Sequence, residues 1–95
     1  MLALDRLTPA PTSLTATHPS PSMRETAVIC WGRADHRDPS LARLFAEDPN
    51  TTVRHNLAHT LAQLPPDERI EYQAITERLR TDNSARVRRA TAQIP

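Results

Sequence analysis

From Met23 onward apolar residues recur at helical spacing and nowhere alternate strictly with polar ones, so the pattern predicts helices and no strand. In "MRETAVICWGRA", Met23, Ala27, Trp31 and Ala34 fall at i, i+4, i+8 and i+11, one face of a helix over 23–34. In "DPSLARLFAE", Asp38 suits an N-cap and Pro39 a first helical position, with Leu41, Leu44 and Phe45 as the inward stripe. "TTVRHNLAHTLAQL" repeats the first spacing through Val53, Leu57, Leu61 and Leu64 before "PP" stops it. Pro66, Asp67 and Glu68 open a fourth helix, since anions in a first turn suit the helix dipole, and Ile70, Ala74, Ile75 and Leu79 supply its buried face. The fifth, "SARVRRATAQI", is capped by Ser84 and turns Val87, Ala90, Thr91 and Ile94 inward.

Ahead of Met23 the pattern changes. "MLALDRL" can form a short apolar-faced turn of helix, with Leu2, Leu4 and Leu7 available for docking. Thr8–Ser22 then holds four Pro and no Asp, Glu, Lys or Arg, which favours extended or turn structure over a continuous helix. The division predicted is a partly disordered, Pro/Ser/Thr-rich lead over 1–22 and a helical-repeat domain over 23–95.

The repeat shows at the turns. "DPNTTVR" (Asp48–Arg54) returns 34 residues later as "DNSARVR" (Asp82–Arg88), and 30 residues earlier "HPSPSMR" (His18–Arg24) is a weaker copy. Another predicted helix precedes each of the last two copies, over 39–47 and 66–80. The unit is therefore helix, tight turn, helix, and its period signals a solenoid. With an apolar first helix, an Asp turn, a Val-Arg pair and a second helix rich in small residues, the chain resembles the HEAT-repeat family. "LARLFAEDPNTTVRHNLAHTLAQL" fits over its whole length and "AITERLRTDNSARVRRATAQI" nearly as well. The first copy departs: His18 replaces Asp, Met23 replaces Val, and Pro9 and Pro11 spoil a regular first helix. The resemblance covers about Met23–Ile94, roughly two and a half repeats, and implies an all-α fold, a short right-handed α-solenoid of antiparallel helical hairpins. A leucine-rich variant repeat or a plain helical bundle are the competing architectures, and the spacing of 30 and 34 argues against the former.

Composition removes most chemistry. A single Gly, Gly32, leaves no glycine-rich phosphate cradle, dinucleotide fingerprint or nucleophile elbow. Three aromatic residues, Trp31, Phe45 and Tyr72, are too few for a base-stacking platform. The lone Cys30 rules out an internal disulfide framework, and no secretory pattern opens the chain, so a cytoplasmic protein is expected. No apolar run approaches the roughly 20 residues that cross a bilayer. All twelve basic side chains are Arg, yet the net charge is only +1, giving no global pull toward nucleic acid or anionic lipid.

In HEAT-like stacks the turn Asp bonds backbone donors and a neighbouring repeat's Arg. The resemblance thus implies that Asp48, Arg54, Asp82 and Arg88 are a structural ladder, not two acid–cation sites. His55 and His59 have the i, i+4 spacing of metal ligands, but no carboxylate or Cys stands at a ligand position, and they read as solvated. Cys30, among Val28, Ile29 and Trp31, reads as packing, with Arg33 its only cationic neighbour. Between Ile75 and Pro95, Arg78, Arg80, Arg86, Arg88 and Arg89 face only Glu77 and Asp82, and Arg86 and Arg89 are spaced to straddle a phosphate.

The expected function is non-catalytic: a protein-interaction or scaffold module without cofactor or metal, using the stacked second helices. Its exposed candidates are Arg24, His55, His59, Gln63, Arg86, Arg89 and Gln93. The alternative is nucleic-acid backbone binding through the C-terminal Arg cluster. With fewer than three repeats and no capping helix, an exposed apolar end formed by Leu79, Ala90 and Ile94 is also expected, to be covered by self-association, by a partner or by residues lost from a longer ancestor.

Overall fold

In the computed structural model, which describes residues 11–95, the described part of the Pro-rich stretch, residues 11–22, is itself part of the helical stack. Helix α1 (Ser13–Ala16) is a single turn in which the Thr15 hydroxyl accepts the Thr12 N–H and donates to the Thr12 carbonyl, each at 2.9 Å. Helix α2 (Pro21–Arg33) starts with Pro21 behind Ser20. Asp38 caps α3 (Pro39–Ala46) through the Ser40 N–H at 3.0 Å. Asn50 caps α4 (Thr51–Gln63) through the N–H groups of Thr52 and Val53 at 2.8 and 3.1 Å. A turn of helix, α5 (Pro66–Arg69), passes through a 3-10 turn (Ile70–Tyr72) into α6 (Gln73–Arg80), and Ser84 caps α7 (Ala85–Thr91). Arginines close the far ends of the two longest helices. Arg37 donates to the carbonyls of Gly32 and Ala34 at 3.0 and 3.2 Å, and Arg69 to that of Leu64 at 2.6 Å.

Helix α1 pairs with α2, α3 with α4 and α6 with α7; α4 lies between α2 and α7, and α3 between α1 and α6. Two layers result, first helices on one side and second helices on the other, and the described residues form three hairpins where about two and a half repeats were expected. Within the expected lead, Ser13–Ala16 is already helical and Ala16 is buried in the core, while the "MLALDRL" expectation and the part of the lead that holds Pro9 lie outside the described residues.

The core runs through all three hairpins, from Ala16, Val28 and Trp31 through Leu41, Phe45, Val53, Leu57 and Leu61 to Leu79 and Val87. Gly32, on α2, is where the second helices come closest: a Cβ there would sit 2.5 Å from Thr60 Cγ2 on α4. Several expected stripe positions turn outward. Met23 is 46% exposed in the first turn of α2, Leu44 is 40% exposed on α3, where Ala42 and Ala46 are buried instead, and Ile70 is 71% exposed. Ile70 is displaced by phase. The 3-10 turn advances three residues per turn rather than 3.6, so the buried positions become Tyr72, Thr76 and Leu79, leaving Ala74 exposed and Ile75 half-buried.

The expected apolar end is not there. Leu79 is fully buried, Ala90 is half-buried, and Ile94 folds back through its N–H to the Thr91 carbonyl (3.0 Å) to leave 7% exposed. Beside it lies a shallow groove of about 330 Å³ bordered by Ile70, Gln73, Thr76, Arg80, Ile94 and Pro95. Among the described residues, no helix is long and apolar enough to cross a membrane.

Candidate functional site

The three turns that repeat in the sequence are superposable in their bonding. In each, the side chain of the first residue accepts the N–H two residues on. Asp48 Oδ1 takes Asn50 at 2.8 Å, Asp82 Oδ1 takes Ser84 at 2.9 Å, and His18 Nδ1 takes Ser20 at 3.0 Å. In each, the Arg six residues later donates Nη1 to that residue's carbonyl: Arg24 to His18 at 2.8 Å, Arg54 to Asp48 at 2.7 Å, Arg88 to Asp82 at 2.7 Å. The other edge of the guanidinium reaches the next turn. Arg24 forks onto Asp48 (Nε–Oδ2 2.7 Å, Nη2–Oδ1 3.2 Å) and Arg54 onto Asp82 (2.8 and 3.2 Å).

Asp48 is buried, and two N–H donors from Arg24 and one from Asn50 satisfy it. Burial works to raise the Asp82 carboxyl, but the Arg54 fork, the Ser84 N–H and the charges of Arg54 and Arg88 outweigh it and hold it below its ordinary value. The bond to Asp48 raises the Arg24 guanidinium, against the opposing pull of burial. Arg24 therefore leaves the set of exposed contact residues in which the sequence placed it. It is a rung of the ladder, with its side chain only 13% exposed. The signal was present, because Arg24 closes the copy "HPSPSMR" as Arg54 and Arg88 close theirs.

The remaining candidates lie on α4 and α7. His55 and His59 are one turn apart with nearly parallel rings, centroids 6.5 Å apart, and His59 Nε2 meets Gln63 Nε2 at 2.9 Å. His55 is not solvated as expected. It is half-buried, and its Nδ1 is sealed from solvent with no hydrogen-bond partner. Loss of water, then the nearby Arg86 charge and that of His59, hold His55 below its usual value, with Asn56 opposing. Arg86 reaches back from α7 to Thr52 Oγ1 on α4 at 3.2 Å, while Arg89 and Gln93 are exposed. Among the described residues no three His, Cys, Asp or Glu side chains come together as a metal-ligand group.

Counting from the ladder arginines supplies what the sequence reading missed on α2. One residue beyond Arg24, Arg54 and Arg88 stand Glu25, His55 and Arg89; five beyond stand Ile29, His59 and Gln93. Ile29 is 44% exposed. All three aromatic rings are instead in the core, Trp31 meeting Phe45 and Tyr72 edge-on. Cys30 is half-buried on α2.

A family model described as HEAT repeats matches residues 8–94. Comparison with curated proteins and with solved structures gives no match.

Proposed function

We propose, from the premise that the chain belongs to the HEAT-repeat family, that it is a non-catalytic protein-recognition module working through α2, α4 and α7. HEAT repeats commonly mediate protein–protein interaction, and the family is generally of a non-catalytic scaffold type. The observation that carries the reading is the pair of equivalent rows, Glu25, His55, Arg89 and Ile29, His59, Gln93, behind which the ladder fixes the register of the helices. Rigid backing lowers the cost of ordering a contact surface on binding. Ile29 and the imidazoles offer apolar area between an acidic and a basic end, a pattern suited to a protein surface. Photo-crosslinkers at positions 29 and 59 should each trap a discrete protein, at a yield unchanged by moderate salt, while one at Ser40 on α3 traps none. Equal labelling from all three positions would refute the reading.

A second reading rests on one observation: Arg86, Arg88 and Arg89 meet no carboxylate side chain among the described residues. Nucleic-acid backbone binding there requires affinity that falls steeply with salt and weakens in Arg86→Ala and Arg89→Ala. If neither duplex nor single-stranded DNA binds at low salt, that reading ends.

A further inference from the structure

Among the described residues the ladder has three arginines and two filled forks. Arg88 is anchored like the others, its Nη1 on the Asp82 carbonyl at 2.7 Å, the distance at which Arg54 holds the Asp48 carbonyl. In Arg24 and Arg54 that anchor turns the Nε/Nη2 edge toward the next turn along the stack, where an Asp receives it. Among the described residues nothing accepts from the corresponding edge of Arg88, which is exposed. We propose that this edge is a receptor for one carboxylate of a partner protein, an Asp displayed at the helix-entrance turn of another helical hairpin, which extends the ladder across an interface.

The chemistry of the occupant follows from the filled rungs. Each acceptor is an Asp whose Oδ1 also takes the N–H two residues on, so the receptor reads a carboxylate already fixed in a turn. A planar guanidinium with one edge held is built for such bidentate recognition, and it discriminates by geometry where a point charge would not. Charge agrees. Arg86 and Arg89 flank Arg88 on α7 without a carboxylate partner among the described residues, so an acidic turn meets a basic end. A second copy of this chain is the wrong occupant. At the first repeat turn among its described residues stands His18, whose Nδ1 accepts the Ser20 N–H, which leaves the proton on Nε2 and a donor where the Arg88 edge needs an acceptor. The inference goes beyond the proposed contact rows, concerning the end of the stack rather than the faces of α2 and α4.

The chain supplies its own probe. A donor carrying His18→Asp and Arg88→Lys offers the missing carboxylate but no fork; the unaltered chain offers the fork but no carboxylate. The substituted carboxylate can take the Ser20 N–H as Asp48 and Asp82 take theirs, and circular dichroism checks that the donor folds. Mixed, the two should form a saturable 1:1 complex by sedimentation or titration calorimetry. Lys in place of Arg88 in the acceptor should weaken it about tenfold or more. A donor with His18→Asn, which keeps the turn bond but lacks the charge, should not bind. Absence of a complex at about 1 mM, or a complex indifferent to residues 18 and 88, overturns the proposal. So does binding of a 12-base-pair duplex that Arg88→Lys abolishes, which would assign the fork to phosphate. Crosslinking at positions 29 and 59 reads a different surface, so the two ideas fail separately.

Discussion

His55 and Asp48 show how differently a polar side chain can be held in this small protein. Asp48 is buried and fully partnered, so removing it strands the Arg24 fork and the Asn50 N–H. Asp48→Ala should cost about 3 kcal/mol of stability in urea unfolding, with no selective loss at the contact rows. His55 has a sealed Nδ1 and no partner for it, and loss of water, Arg86 and His59 all disfavour its charged form while Asn56 favours it. The unfolded chain takes up that proton first, so the contribution of a neutral His55 is complete above about pH 6.5 and is lost as pH falls below it toward the lower folded value. Asp82 acts in a separate window. Its folded value is depressed, so its contribution is complete above about pH 4 and is lost as pH falls through that folded value. Between pH 7.5 and 5 the urea midpoint should therefore drop, and in His55→Gln the drop should shrink; an unchanged pH profile in that variant would remove His55 as its source. The ladder aspartates were legible because their spacing repeats. His55 was not, because the Arg86 charge that acts on it belongs to the next hairpin and lies 31 residues away.

At the scale of elements, sequence periodicity located α2, α3, α4 and α7 because most of each apolar stripe keeps one phase, although Met23 on α2 and Leu44 on α3 turn outward. It failed at Ile70, where no residue pattern announces that a 3-10 turn will rotate the rest of the segment. It also missed α1, a turn held by Thr12 and Thr15 bonds inside a stretch whose prolines argue against helix. The packing of α2 on α4 turns on Gly32, which sequence alone presents as a helix-weakening residue. Ala would gain about 1 kcal/mol in helix propensity, but its Cβ would stand 2.5 Å from Thr60 Cγ2, and Thr, branched at Cβ, has little freedom to move aside. Overpacking of that kind costs about 1–3 kcal/mol, so Gly32→Ala should be net destabilising. Thr60→Ser removes the clashing methyl and leaves the next atom at an ordinary 3.5 Å. The double variant should thus regain the lost stability and approach the propensity gain. Additive losses in thermal unfolding of the two single variants and the double would show that the close approach does not matter.

Over the whole molecule, the repeat pattern suggests a chain of neighbour-only contacts, in which an end hairpin can fray by itself. The packing of the three hairpins is more closed than that. Trp31, on the second helix of the first hairpin, packs edge-on against Phe45 of the second (6.3 Å between centroids) and Tyr72 of the third (5.3 Å). Its Nε1 also donates to the Asp38 carbonyl at 2.9 Å. Arg37, just beyond α2, pairs with Glu68 of the third hairpin. The radius of gyration, 12.9 Å, is close to the roughly 12 Å of a single rounded domain of this length. First and third hairpins therefore share one core, and opening either end exposes the indole. It follows that Trp31 fluorescence and far-ultraviolet circular dichroism should trace one superimposable urea transition, the mark of all-or-none unfolding. Trp31→Phe cannot reach the Asp38 carbonyl and fills less of the space between Phe45 and Tyr72. It should lower stability by about 2 kcal/mol and, by loosening the bridge, let the third hairpin melt ahead of the rest. Circular dichroism of that variant should then show a broadened transition, whereas a curve as steep as that of the unaltered chain would mean that contacts between neighbouring hairpins alone keep the stack cooperative.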